Sequence, residues 1–348
     1  MRSFLKPAAG LTCLFALTVT GCSSSSGDSS DAASKATEKA ETTPSESASP
    51  TPSAASSSTS YAPYVSVTTA SGMDSSGSPT TYNLAFVIAS GSSCTPKWNG
   101  TTAIDNAAVK SRIAALKTSG ATVRVSFGGA SGKELAETCT SATALAKAYG
   151  EALDAAGSTQ ADFDIEGDTL TDSTSVALRS KAIALLQKER TDLKVSFTLP
   201  VMPSGLDSDS LALLESANDN AVEVSTVNIM TMNYGESYTG DMGDYAITSA
   251  TATHTQLKKV FGLSDAGAWQ GMALTSMLGV NDVSGETFSL SDAAQVRKFA
   301  EEKEVAWVSM WSTFRDQQCE SGSSDDDAAT DCSGVTQASG AFGEAFAG

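Results

Sequence analysis

Short runs of β-branched, aromatic and other large apolar residues alternate along the chain with longer runs whose apolar residues recur at helical spacing. The short runs predict eight strands, over residues 62–68, 83–89, 122–127, 161–166, 194–199, 225–230, 270–275 and 306–310. The longer runs predict helices over residues 107–117, 142–156, 175–189, 210–217, 249–260 and 293–302. The connection between the first two strands shows no helical pattern.

Eight strands with mostly helical connections are typical of a (β/α)8 TIM barrel, an α/β fold that carries functional residues at the C-terminal ends of its strands. An open doubly wound sheet is the alternative, which the number of strands makes less favourable. We therefore predict a single barrel over residues 61–348, preceded by a signal peptide and a disordered linker.

Residues 1–21 have the pattern of an export signal. Arg2 and Lys6 precede a mostly apolar run over residues 8–20, and a glycine stands directly before Cys22. That ending resembles a bacterial lipobox, which implies cleavage before Cys22 and lipidation of its thiol, with two acyl chains giving a stable anchor. The resemblance implies a protein on the outer face of the bacterial envelope, in contact with the membrane through lipid only. The alternative is an ordinary secretory signal and a released protein.

Residues 22–60 are predicted to form the linker. Beyond Cys22 this segment has no aromatic residue and no aliphatic one larger than Ala. It cannot bury enough apolar surface to offset the entropy of ordering the chain, so we expect disorder. No later segment is long and apolar enough to predict a membrane span.

Charge and histidine content narrow the possible functions. The formal charge of −18 disfavours nucleic acid and anionic membrane surfaces as partners, and more weakly disfavours anionic wall polymers. His254 is the single histidine, so no zinc site of several histidines and no Ser-His-Asp hydrolase is indicated. His254 lies in a polar stretch and is predicted on a helix surface. We expect no metal and no cofactor.

Four cysteines lie beyond the predicted lipidation site: Cys94, Cys139, Cys319 and Cys332. An even number in an exported protein implies two disulfides. The close pair Cys319 and Cys332 brackets an acidic loop, which would leave Cys94 to pair with Cys139. The sequence alone does not fix this connectivity.

The segment ADFDIEG over residues 161–167 is the strongest chemical signal. Asp162, Asp164 and Glu166 alternate with apolar residues, so a strand would point all three acids to one side. In a confined space they would repel one another, and one would keep its proton near neutral pH. A half-exposed strand with solvated acids is the plain alternative. A calcium loop is disfavoured because Ser173 stands where a bidentate Glu is needed.

Polar, glycine and aromatic residues gather at the predicted C-terminal ends of other strands. They form the segments 126–129 (SFGG), 230–234 (MTMNY), 278–282 (LGVND) and 310–312 (MWS). These residues resemble the glycoside hydrolase family 18 chitinases. SFGG resembles the family's S-x-G-G, DFDIE over residues 162–166 resembles the distal part of its acidic motif, and Trp311 resembles the Trp that ends the eighth strand. Segments 62–65, 279–282 and 309–312 resemble a bacterial subgroup of secreted chitinases.

The resemblance implies a substrate-assisted retaining mechanism. Glu166 would protonate the glycosidic oxygen, and the N-acetyl group of the substrate would attack the anomeric carbon. Asp164 would orient the acetamido group and share charge with Asp162 behind it.

The resemblance also implies substrate-binding residues. Trp311 would form an apolar floor for the distorted sugar, and Gly128 and Gly129 would let the backbone approach it, although a turn that needs positive φ explains them equally. Ser126 and Met230 belong to the matching strand ends.

Further positions are candidates for substrate binding. Trp98 would be a platform for an outer sugar, and Asn281 and Asp282 would either hydrogen-bond substrate or cap their loop. Asn233 stands where the family often has Asp, which predicts slower turnover because an amide cannot offset positive charge. Tyr234 is one residue out of register with the family's Tyr but would be able to supply the missing hydroxyl.

We therefore expect a monomeric chitinase acting on chitin or chitooligosaccharides. The alternatives are a lipoprotein that binds N-acetylglucosamine glycans without turnover, and a related hydrolase of peptidoglycan or N-glycans.

Overall fold

The computed structural model of the protein describes residues 59–322 and 331–348. These residues belong to one compact unit, Ala55–Gly348. The predicted signal peptide, Cys22 and nearly all of the predicted linker lie outside the described residues. Within the described ranges, no helix has the length and apolar character needed to cross a bilayer.

The strands are short and nearly all buried on at least one face. They are β1 (Ser60–Tyr61), β2 (Tyr64–Ser66), β3 (Thr81–Ser90), β4 (Ser93–Trp98), β5 (Thr102–Ala103), β6 (Thr122–Gly128), β7 (Gln160–Asp164), β8 (Lys194–Pro200), β9 (Val224–Met230), β10 (Met272–Met277), β11 (Gly279–Val280), β12 (Thr287–Phe288) and β13 (Trp307–Trp311).

The α-helices lie mostly between consecutive strands of the main sheet. They are α1 (Ala107–Leu116), α2 (Ala142–Ala156), α3 (Gly167–Thr171), α4 (Ser173–Glu189), α5 (Ser208–Asp219), α6 (Met242–Phe261), α7 (Asp265–Gln270), α8 (Leu290–Lys303) and α9 (Ala341–Ala347).

The main sheet pairs its strands in the order β1-β13-β10-β9-β8-β7-β6-β3-β4-β5, with β2 also bonded to β3. The pairs are parallel except for the antiparallel hairpin strands β4 and β5. Residues 60–66 form hydrogen bonds to two strands, β13 and β3. Ala62 N donates to Val308 O at 2.9 Å, and Asn83 N donates to Pro63 O at 2.9 Å. Pro63 separates β1 from β2 because it has no N–H to give to a ladder.

The alternation of strands and helices predicted from the sequence is confirmed. Each predicted strand and helix overlaps an observed element, and the first connection has no helix. The largest difference is at α6, which begins at Met242 rather than near residue 249 because Asp241 caps it by accepting from Asp244 N at 2.8 Å. The hairpins formed by β4 with β5 and by β11 with β12 were not predicted.

A layer of aromatic rings holds the helices against the middle of the sheet. Phe127, Phe163 and Phe197 are register partners on β6, β7 and β8, with ring centroids 5.3 and 5.7 Å apart, and all three are buried. Tyr149 of α2 packs edge-on against Phe127 and Phe163. Because successive strand residues face opposite sides, this layer directs the neighbouring Asp162 to the other face of the sheet.

His254 corrects a sequence prediction. It is only 7% exposed rather than on the surface. Its ring stacks on Trp269 at a centroid distance of 4.0 Å, and Nε2 lies 2.9 Å from the backbone oxygen of Asp265. The short helix α7 folds back onto this face of α6, and a local polar sequence gives no sign of that contact.

Both expected disulfides are present, Cys94–Cys139 and Cys319–Cys332. The first joins β4 to the loop before α2 across 45 residues, and the second closes a loop of 13 residues. Because a cross-link stabilises mainly by restricting the unfolded chain, the longer loop should contribute more.

We expect replacement of Cys94 and Cys139 by Ala to lower the free energy of unfolding by about 2–4 kcal/mol, measured by urea denaturation. The matched control replaces Cys319 and Cys332 by Ala and should show a smaller loss. An equal or larger loss of stability in the control would contradict the expectation that the disulfide closing the longer loop contributes more.

Candidate active site

The acidic motif lies at the C-terminal end of β7, on the face opposite the aromatic layer. Asp162 and Asp164 are 2% and 5% exposed, and Glu166 follows directly, before the first residue of α3. The acids therefore lie on the same side of the sheet, as the alternation along a strand predicted.

Asp162 is surrounded by hydroxyl donors from neighbouring strands. Its Oδ2 accepts from Tyr64 at 2.9 Å and from Ser126 at 2.7 Å, and its Oδ1 accepts from Ser196 at 2.6 Å. Thr198 lies 2.9 and 3.0 Å from the two oxygens. These hydroxyl groups satisfy both oxygens of the buried Asp162 carboxyl. Ser126 thus acts behind the cleft, through Asp162.

Asp164 has the opposite environment. Its Oδ1 is buried and has no hydrogen-bond partner among the described residues. Burial raises the pKa of Asp164 well above its ordinary value, and the negative charges of Glu166 and Asp162 raise it further. Asp164 therefore keeps a proton at a pH where an exposed aspartate has lost it.

Glu166 occupies the outer position of the motif. Burial, followed by the negative charge of Asp282, raises the pKa of Glu166 to about 6. A carboxyl that titrates there is partly protonated near neutral pH, as a general acid requires.

A cleft of about 570 Å³ lies over Asp164 and Glu166. Its apolar wall is aromatic: Trp311 stacks on Phe86 with centroids 5.5 Å apart, and Tyr64 packs edge-on against Trp311 at 5.9 Å. An aromatic wall beside carboxylates offers packing to the apolar face of a sugar ring and hydrogen bonds to its polar edge. In the described part of the chain, no group of three or more His, Cys, Asp or Glu side chains is arranged to hold a metal ion.

The structure brings five of the predicted site residues together along this cleft. They are Asp164, Glu166, Met230, Asn233 and Trp311.

The cleft also contains residues that the sequence analysis did not assign to it. They are Tyr64, Phe86, Ile88, Asn99, Ala130, Ser131, Gly132, Thr198, Met232, Thr275 and Met277. Most come from strand interiors or long loops, where nothing in the local pattern marks a cleft position. Asp282, for which the sequence left substrate binding and loop capping open, is a sixth candidate that lines the cleft.

Gly128 and Gly129 do not line the cleft, so their expected approach to the sugar is not observed. Both have positive φ, +102° and +89°. A Cβ at Gly128 would overlap the carbonyl of Asp164, and Gly129 N donates to that oxygen at 2.9 Å. The glycines are needed because β6 turns while touching the end of β7.

Trp98 is not the predicted platform for an outer sugar. Its ring is fully buried, and the indole N–H donates to Ile104 O at 3.3 Å. The unpredicted hairpin formed by β4 and β5 turns this side chain into the core.

Tyr234 does not supply a hydroxyl to the cleft either. It is 4% exposed and packs against Tyr238 and Tyr245. Asn233 adopts φ +55°, a left-handed conformation that Asn tolerates better than most residues. The chain turns there, so Met232 and Asn233 line the cleft while Tyr234 leaves it.

Asn281 caps its own loop. Its side-chain amide donates to the backbone oxygens of Met277 and Gly279, both at 3.0 Å, and the residue is 6% exposed. Of the two interpretations made from the sequence, the structure supports the cap, and it is the next residue, Asp282, that reaches the cleft.

No profile of a known protein family matches the chain. The chain is 34% identical over 275 residues to a probable bifunctional chitinase/lysozyme of Escherichia coli (strain K12), covering 74% of this chain and 31% of that protein. It is also 34% identical over 275 residues to endochitinase 11 of Metarhizium anisopliae, covering 74% of this chain and 52% of that protein. The chain thus spans about a third to a half of the length of these curated relatives.

The fold is similar to the catalytic domain of a hyperthermophilic chitinase from Pyrococcus furiosus, with a TM-score of 0.73, 29% identity and coverage of 82% of this chain and 93% of that domain. Catalytic-site mutants of active domain 2 of a thermostable chitinase from the same organism, complexed with chito-oligosaccharides, match with a TM-score of 0.73 and 28% identity, covering 82% of this chain and 92% of that one. A GH18 chitinase from Pseudoalteromonas aurantia shares the fold at a TM-score of 0.53 and 13% identity, covering 73% of this chain and 94% of that one. In sequence and in fold, the chain is therefore similar to chitinases.

Proposed function

We propose that the protein is a chitinase that hydrolyses β-1,4-linked N-acetylglucosamine chains. The observation that carries the proposal is the series of three carboxyls at the C-terminal end of β7. Asp162 is fully hydrogen-bonded, Asp164 is buried, and Glu166, just after the strand, lies in the cleft. The similar chitinases of Escherichia coli and Metarhizium anisopliae and the chitinase domains from Pyrococcus furiosus support the same substrate class.

Glu166 acts as the general acid in the proposed mechanism. It gives its proton to the glycosidic oxygen while the bond from that oxygen to the anomeric carbon breaks. The acetamido carbonyl oxygen of the same sugar forms a bond to the anomeric carbon, which gives a cyclic oxazolinium ion. Glu166, now a carboxylate, takes a proton from water as that water attacks the anomeric carbon and opens the ring. The configuration at this carbon is retained because it is inverted twice.

Asp164 orients the acetamido group in the same mechanism. It follows Asp162 along β7 and lines the cleft, so it is placed to hydrogen-bond the acetamido N–H and to share negative charge as the oxazolinium forms. The cost of this arrangement is a carboxyl whose charged form is destabilised by burial and by two neighbouring acids.

The charges of the cleft favour a neutral glycan over peptidoglycan. Asp164, Glu166 and Asp282 line it, and none of the described side chains that line it is basic. A formal charge of −18 also repels anionic wall polymers before they reach the site.

Three further features belong to the proposal. With β1 and β2 counted as one strand, the parallel strands would form a closed barrel of eight, supported by the hydrogen bonds of residues 60–66 to both β13 and β3. The protein would act as a monomer. It would be exported as in the bacterial subgroup of secreted chitinases and held on the outer face of the envelope through lipid on Cys22, supported by the lipobox-like sequence before that residue.

We expect Glu166→Gln to lower kcat on a fluorogenic chitooligosaccharide by about 10²–10⁴-fold, because the amide has no proton to give. The Gln has nearly the same shape, so oligosaccharide binding should persist. Full activity in this variant would contradict the assignment of the acid. An inactive wild type that still binds chitooligosaccharide would favour a non-catalytic binding protein, and release from cell walls or glycoproteins but not chitin would favour the other hydrolases.

We expect Asp164→Asn to make the protein more stable than wild type at pH 8, by roughly 0.5–2 kcal/mol in urea denaturation. The pKa of Asp164 is higher in the folded chain than in the unfolded chain, so wild-type stability falls as pH rises between the two values. The difference should shrink toward pH 3.5, where both states hold the proton. Asp162→Asn is the matched control and should destabilise, since its amide group would face hydroxyl donors. A less stable Asp164→Asn at pH 8 would contradict this account.

We expect Cys22→Ala to abolish incorporation of labelled fatty acid into the protein expressed in a bacterial host, and to move it from the membrane fraction to a soluble one. The control is Cys13→Ala, which leaves the lipobox-like ending intact and should remain in the membrane fraction. Equal fractionation of both variants would argue against the anchor.

A further inference from the structure

Asp282 is a fourth carboxyl at the site, and it comes from outside the acidic motif. It follows β11, in the loop after β10, and it is an exposed residue on the rim of the cleft. Its Oδ2 accepts a hydrogen bond from Nδ2 of Asn233, which belongs to the loop after β9, at 3.3 Å. Two loops that follow neighbouring strands therefore meet at the cleft through this contact between side chains.

Buried groups hold both loops in place. Glu286, which is 1% exposed, accepts from Gly235 N at 2.8 Å, and the backbone N–H groups of Asn233 and Tyr234 also act on its carboxyl. On the other side, Arg315 donates to the backbone oxygens of Leu278 and Val280 at 2.8 and 2.7 Å. Buried hydrogen bonds therefore fix both of the loops that carry the contact between Asn233 and Asp282.

The charge of Asp282 reaches Glu166. Asp282 follows burial as a cause of the raised pKa of Glu166, and the other acid of β7 that faces Glu166 is Asp164. Arg315 interacts electrostatically with Asp282 but does not line the cleft. A substrate bound over Glu166 would therefore meet carboxyl groups on two sides, Asp164 from β7 and Asp282 from the loop after β10.

We propose that Asp282 is a further catalytic residue: its carboxylate, oriented by Asn233, contacts the reacting sugar and stabilises the positive charge of the oxazolinium ion. The inference rests on the proposed function. It changes the meaning of Asn233, which on sequence grounds marked a missing negative charge. The charge is present, but the next strand supplies it, and Asn233 is a positioning residue that hydrogen-bonds it.

The pair can be tested by exchanging its two side chains. Asp282→Asn removes the charge, Asn233→Asp places a second carboxylate opposite the first, and the double variant Asn233→Asp/Asp282→Asn returns one charge to the pair from the other loop. We expect Asp282→Asn to lower kcat about tenfold with a smaller change in KM, and the double variant to recover a substantial part of that loss. The matched control is Glu236→Gln, an exposed acid of the same region that does not line the cleft, which should keep wild-type kinetics.

The pH profile separates a charge effect from a structural one. Because Glu166 must be protonated to act, kcat/KM falls as pH rises through its pKa of about 6. Removing the negative charge of Asp282 lowers the pKa of Glu166. The alkaline limb of the kcat/KM profile of Asp282→Asn should therefore move to lower pH. The difference should diminish at high salt because Asp282 is exposed. Asp282→Glu keeps the charge and should keep the wild-type limb.

The possible results are distinct. An active wild type, with unchanged kcat and an unchanged alkaline limb in Asp282→Asn, would overturn the inference and leave the proposed function intact. A double variant no more active than Asp282→Asn would overturn the role of the pair. A wild type that is inactive on chitooligosaccharides would overturn the proposed function itself. Circular dichroism and thermal unfolding of each variant show whether it is folded. If Asp282→Asn does not fold, the test uses Asp282→Glu, whose longer side chain moves the carboxylate relative to the sugar while its charge is kept.

Discussion

The burial of several acids along one strand is the constraint on which the rest of the site depends. A buried charge is costly unless donors surround it, and Asp162 has donors from three neighbouring strands, β2, β6 and β8. These hydroxyls are themselves buried and linked: Thr198 also accepts from Asn228 at 2.9 Å, and Asn228 accepts from Thr275 at 2.9 Å. The polar interior is thus one network with Asp162 as its charged centre.

This network explains why the glycines and aromatic rings are needed where they are. Donors from β6 can reach Asp162 only if β6 and β7 remain in close register to their ends, and Gly128 permits that contact with the carbonyl of Asp164. On the opposite face, Phe127 and Phe163 fill the space between the sheet and α2. Apolar packing on one side and hydroxyl donors on the other therefore fix the same strand, and both position its acids.

The sequence predicted the features that depend on local periodicity. The strands, most helices and the common side of Asp162, Asp164 and Glu166 follow from a period of two or 3.6, which a single segment displays. Trp98 and His254 were misplaced because their burial is determined by segments that fold back on them. Tyr234 was misplaced because the left-handed turn at Asn233 is a property of one backbone angle. Asp282 illustrates the general limit: its role depends on two loops that meet in space, and no local pattern records that meeting.

The four carboxyls differ in burial and in hydrogen-bond partners. Asp162 is buried among hydroxyl donors, whereas one oxygen of the buried Asp164 has no partner among the described residues, and the raised pKa of Asp164 favours its neutral form. Glu166 is partly exposed and titrates at about 6, and Asp282 stands in solvent at the rim. Asp164 and Glu166 are the two carboxyls of the cleft whose pKa is raised, in both cases chiefly by burial. The proton transfer proposed for Glu166 and the charge sharing proposed for Asp164 are therefore consistent with their depth in the cleft, since burial separates side chains of nearly identical chemistry.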